Sequence, residues 1–256
     1  MLALVVAQPM VQAADYCWLP VPSSALPANL SPTEPYWTGN KLPIGWKFGI
    51  GPALYNIGGT YTGVGDAILA AAAQWNSAVP HRQFGWDGQF APTTSDCPSG
   101  RPSGKPFQIG ALNFSTTTDC PSLNALKTSG QFLEDRILAY SDYYTSANCS
   151  YPQCGTKSVT INLARSFTTS QTPLPGVVDL QSVLVHEMGH SFGLTHMNTY
   201  GECRNESFDC EGLDDNVIPS MQNEIRAGQI CQRTIKGSAS TFYGDYSSIK
   251  QLYPNE

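Results

Sequence analysis

The run VLVHEMGHSFGLTHMN, Val183 to Asn198, holds three of the four histidines in the chain and constrains the fold more than any other stretch. Through it and the residues before it, apolar side chains recur at Val177, Leu180, Val183, Leu184, Met188 and Phe192. These spacings of three and four belong to an amphipathic helix. The pattern predicts a helix over Gly176 to Leu194, preceded by Pro173 and Pro175, with Asp179 near its positive N-terminal end. Gly193 is placed to end it, because glycine enters the left-handed conformation without penalty. His186 and His190 stand four residues apart, so on such a helix one imidazole lies above the other and both can address one point.

That arrangement suits a metal ion. A catalytic zinc takes three protein ligands and leaves a fourth position for water. His196 is the third candidate ligand; it lies too far beyond His190 to continue on the same helix face, so the chain must turn between them, and Gly193 sits in that interval. Glu187 follows the first ligand directly and projects about 100° away around the helix, beside the ion but not on it. From there a carboxylate can accept the proton of the zinc-bound water and pass it to the leaving amine. Zinc lowers the pKa of that water to about 7 and polarises the scissile carbonyl. The chemistry these residues point to is hydrolysis of a peptide bond.

Composition bears on where such a chain works. It carries eight cysteines and only 13% charged residues, against roughly 25% in an average soluble protein. Leu2 to Ala7 is a short apolar run followed by Val11-Gln12-Ala13, so residues 1–13 read as a signal peptide cleaved after Ala13, although no Lys or Arg precedes the run. Cys17, Cys97, Cys120, Cys149, Cys154, Cys203, Cys210 and Cys231 would all remain, an even number consistent with disulfides in an oxidising compartment. Close spacing makes Cys149–Cys154 and Cys203–Cys210 candidate pairs, with Cys97–Cys120 a third; none has the spacing of a thiolate zinc knuckle. Asn29, Asn113, Asn148 and Asn205 begin glycosylation tripeptides. The expected location is secreted and extracellular. A net charge of −6 with no basic run argues against nucleic acid as a partner. No segment has the ~18 uninterrupted apolar residues that a membrane span requires.

Along the chain, residues 14–45 are rich in Pro and Ser and read as an extended N-terminal arm. IGWKFGIG reads as a strand, and Gly65 to Ala78 as a helix with Asp66 as N-cap and Ile68, Leu69, Ala72 and Trp75 as its buried stripe. Between Val79 and Gly130, FQIGALNFS is the one clear strand candidate. Arg136 to Thr145 and Ser158 to Phe167 are β-rich. After His196 the chain is loop-rich until DYSSIKQLYP, where Tyr246, Ile249 and Tyr253 recur at helical spacing before Pro254.

The run HEMGHSFGLTH resembles the HExxHxxGxxH motif of the metzincin zinc metallopeptidases. The resemblance implies zinc ligands His186, His190 and His196, general base Glu187 and hinge Gly193. It also implies a tight turn beneath the zinc whose methionine packs against the ligands. Met1 and Met10 lie in the leader, Met188 is inside the motif and Met197 abuts the third ligand, which leaves Met221 in VIPSMQNE.

Within that clan the chain is most similar to the matrixin catalytic domain, in AAAQWNSA, RILAYSDYY and GDYSSIKQLYP as well as in the motif. This likeness implies an α+β fold: a twisted mixed β-sheet, an active-site helix, a second long helix and a small loop-rich C-terminal subdomain. The catalytic domain would span residues 46–256, with an upper part to 193 and a lower part from 194. A protein or peptide substrate would lie extended along the strand containing RILAYSDYY, in a pocket walled by the segment after Met221, on a monomer.

The departures are specific. Met197 stands where matrixins have a small polar residue, and the stretch to Met221 is longer and carries Cys203 and Cys210. A second, structural zinc is not expected, since only His81 remains and it reads as a surface or hydrogen-bonded histidine. Calcium is possible, but no recognisable motif supports it. Cys17 is either a disulfide partner or a latency thiol. Asp245 either bonds beneath the active site, as a matrixin counterpart does, or caps a solvated helix. Three functions follow: a zinc endopeptidase, a catalytically idle, disulfide-rich binding protein on the same scaffold, or a zinc hydrolase acting on something other than peptides.

Overall fold

In a computed structural model of the chain, the residues described are 48–51, 53–54, 57, 61–78, 91–92, 107–117, 120–128, 137–142, 158–172, 174–191, 194, 220–221, 225–236, 245–246 and 249. The expected leader and N-terminal arm lie outside the described residues. So do His81, Phe192, Gly193, His196, Met197, the paired candidates Cys149–Cys154 and Cys203–Cys210, Cys17, Cys97, and Asn29, Asn148 and Asn205. Cys120 and Cys231 are both in disulfides.

Five strands form a mixed sheet: β1 (Phe48–Ile50), β2 (Ala91–Pro92), β3 (Phe107–Leu112), β4 (Ala139–Asp142) and β5 (Ser158–Asn162). Their order is β2-β1-β3-β5-β4, with every pairing parallel except β4 on β5. Side chains alternate across a strand. Ile109 and Ala111 of β3 and Val159 and Ile161 of β5 therefore enter the main core together. Leu112 and Tyr140 pack instead on a smaller cluster of Phe114, Cys120 and Leu123.

Two helices complete the main core. Helix α1 (Tyr61–Ala78) buries Val64, Ile68, Ala71, Ala72 and Trp75, with Leu69 partly buried beside them. It starts four residues before the expected Gly65, so Asp66 is not its N-cap but an exposed residue in its second turn. Gly63 and Gly65 argue locally against helix, yet Val64 between them is fully buried, and tertiary burial outweighs propensity. A short helix, α2 (Pro121–Thr128), falls where the sequence pattern showed only loop and strand. Proline is tolerated at a first helical position because its missing N–H has no intrahelical partner there, and Lys127 suits the last turn.

The stretch Ser158 to Phe167 is not one strand. Asn162 Oδ1 accepts the N–H groups of Ala164 (3.0 Å) and Phe114 (3.3 Å), and its amide donates to Ile137 O (2.8 Å). This local side-chain turn ends β5. The chain resumes as β6 (Phe167–Thr168), parallel to β7 (Val178–Asp179). Helix α3 (Leu180–Ser191) then follows directly, four residues later than the sequence pattern placed its start. Gly176, at φ +74°, makes the turn before β7. Helices α1 and α3 pack together, and Trp75 Nε1 donates to Val185 O at 2.8 Å. Among the described residues no helix is long and apolar enough to cross a membrane.

Candidate metal centre

Helix α3 is fixed at both ends. At its start Asp179 accepts the Ser182 N–H at 2.8 Å, an N-cap bond. Arg233 grips the same carboxylate through Nε (3.0 Å) and Nη2 (2.6 Å), and also donates to Ser170 O. Asp179 is 1% exposed, and its charge is thus both capped and paired. The sequence suggested only a dipole role for it. At the other end Leu194 N donates back to Gly189 O at 3.2 Å. A reach of five residues is that of a Schellman-type helix stop.

Between these ends, the imidazoles of His186 and His190 meet. Their Nε2 atoms are 3.2 Å apart, with the rings at 86° to one another. Each Nδ1 faces a carbonyl: Ser220 O at 2.8 Å for His186, Leu194 O at 2.7 Å for His190. A carbonyl only accepts, so both Nδ1 atoms carry a proton, and each Nε2 is the nitrogen turned toward the other ring. Burial holds His190 well below its ordinary 6.5, at about 4, against the raising effect of the Leu194 bond. Two such nitrogens this close share a cation between them, a proton or a metal ion. Two Zn–N bonds of about 2.0–2.1 Å at a tetrahedral angle span roughly 3.4 Å, so the donors fit zinc. Among the described residues no third potential ligand joins the pair; His196, the expected third, is outside them.

Glu187 is 6% exposed. Burial pushes its carboxyl from 4.5 up to about 7, and a hydrogen bond from Ser141 opposes that rise. Ser141 Oγ lies 2.6 Å from Glu187 Oε2. Nothing in the sequence pattern singled Ser141 out; its one signal is a small hydroxyl between Tyr140 and Asp142 in a β-rich run.

The turn beneath the pair is made by Ser220 and Met221, both fully buried. Asp245, also fully buried, accepts Ser220 N (2.9 Å), Met221 N (3.3 Å) and Lys236 N (2.8 Å). It is therefore no solvated cap: it holds the turn that aims Ser220 O at His186. Burial raises its carboxyl, and the bonds from Ser220, Lys236 and Met221 lower it. Asp245→Asn removes an acceptor and sets an NH₂ against backbone donors. It is expected to cost about 1–3 kcal/mol in urea unfolding, and an unchanged midpoint would contradict this account.

Met221 packs where Gly189 leaves room. A Cβ on Gly189 would collide with Met221 Sδ and come within 2.7 Å of Trp75 Cζ2. Alanine would gain about 1 kcal/mol in helix propensity, but overpacking costs about 1–3 kcal/mol. Trp75 is pinned by its bond to Val185, so the steric term wins. Gly189→Ala is expected to lower stability, read as a lower thermal midpoint; a rise would show that Met221 and Trp75 yield easily.

No model of a known protein family matches the chain, and no curated protein matches it in sequence.

Proposed function

We propose that the chain is a secreted zinc endopeptidase of the metzincin type, most similar to the matrixin catalytic domain, on an α+β zincin-like fold. The observation that carries this reading is the imidazole pair, two Nε2 atoms converging to 3.2 Å with both Nδ1 protons committed to carbonyls. His186, His190 and His196 would hold the ion. When bound, zinc supplies Lewis acidity toward a carbonyl and a lowered pKa for water.

The chain's own residues do the rest. Glu187, beside the pair, takes a proton from the attacking water and delivers it to the departing amine. Its burial beside the pair supports this role, since in the metal-free chain it raises the carboxyl's hold on a proton above that of an exposed glutamate. Asp245, Ser220 and Met221 keep His186 oriented from below. Strand β4 lies at an edge of the described sheet, where an extended peptide would add as a further strand. The disulfides at Cys120 and Cys231 support an oxidising, extracellular setting.

The test is metal analysis of the purified chain together with cleavage of an unspecific protein substrate. One zinc per chain, with cleavage lost on chelation and restored by zinc, is the expected result. A chain that takes up no zinc sinks the proposal; zinc without cleavage would favour the idle binding protein.

A further inference from the structure

We propose that Ser141 is the positioning residue for the Glu187 carboxylate, an inference that rests on reading Glu187 as the general base. Ser141 belongs to β4, and its register partners Val159 and, one strand further, Ile109 are both buried in the main core. Ser141 therefore faces the helices rather than the opposite cluster. Its hydroxyl is 2.6 Å from Glu187 Oε2 and 3.0 Å from the Glu187 carbonyl oxygen. It has one proton to give, and the shorter approach to the carboxylate takes it.

The two contacts reach the head and the backbone of the same residue from a separate element. A glutamate side chain has three torsions, and a hydroxyl held in a strand ladder removes most of that freedom. The same contact couples the sheet edge, where a peptide would lie, to the group that must meet its scissile bond. Placement errors of about 1 Å cost on the order of 100-fold in rate, and loss of outer-shell partners typically costs about 10–100-fold.

The experiment compares Ser141→Ala and Ser141→Thr with wild type. For Ser141→Ala, kcat is expected to fall about 10–100-fold, with KM within about twofold and one zinc per chain retained. Ser141→Thr, which keeps the hydroxyl, is expected to recover most of the rate. In metal-free protein labelled with ¹³C at the glutamate carboxyl carbon, the Glu187 resonance, assigned through Glu187→Gln, is expected to move in Ser141→Ala and stay in Ser141→Thr. An unmoved resonance overturns the proposal. So does a Ser141→Ala turnover near wild type, or a loss shared equally by Ser141→Thr or accompanied by loss of zinc. A wild-type chain without zinc or cleavage is a different outcome: it overturns the proposed function, while the carbon resonance still tests the contact.

Discussion

Glu187→Gln is expected to lower kcat about 10²–10⁴-fold while making the metal-free chain more stable near neutral pH. The amide keeps the shape and can still accept from Ser141, but it cannot take a proton from water. The stability gain follows from the perturbed carboxyl. Burial raises Glu187 from 4.5 to about 7, so above that value the fold holds a buried charge at a cost. As pH falls from about 7 to 4.5 the folded chain takes up the proton first, and the cost disappears.

His190 works in the opposite direction. Its value is depressed from 6.5 to about 4, so on acidification below 6.5 the unfolded chain binds a proton that the fold refuses, and stability is lost. In the wild type these two trends offset. Glu187→Gln removes the first of them. At about pH 8 the variant is expected to exceed wild type by up to ~3 kcal/mol in urea unfolding, an advantage that vanishes near pH 4.5. Turnover within tenfold of wild type would remove Glu187 from its role; equal stability at both pH values would remove the account of its burial.

His186→Ala is expected to weaken zinc binding by a factor on the order of 100–1000, taking roughly 3–4 kcal/mol per ligand from the 10–16 kcal/mol of four-ligand sites. Competition with a chromophoric chelator measures it. The buried Ser220 carbonyl also loses its partner, which adds a stability loss of about 1–3 kcal/mol. His196→Ala tests the third position in the same assay. If His186→Ala weakens zinc and His196→Ala does not, the site has two histidines and another third ligand.

The helix of the site was legible because its information is local. A spacing of three and four sets which residues share a face, and Leu180, Val183, Leu184 and Met188 are buried while His186 and His190 converge. Its start was misplaced because Gly176 at positive φ and the short β6–β7 pairing are set by the neighbouring strand rather than by periodicity. Asp66 misled for the same reason: a good cap residue does not cap a helix that burial of Val64 extends past it. Helix α2 was too short to show a period.

The sequence by itself determined which groups stand four residues apart on one helix, because a helix converts spacing into direction within a single turn. The tertiary structure alone decided what holds them. Ser141 reaches Glu187 across 46 residues, Ser220 reaches His186 across 34, and Trp75 reaches Val185 across 110. No local periodicity records such separations; they exist only once the sheet edge, the turn at Met221 and helix α1 are packed against α3.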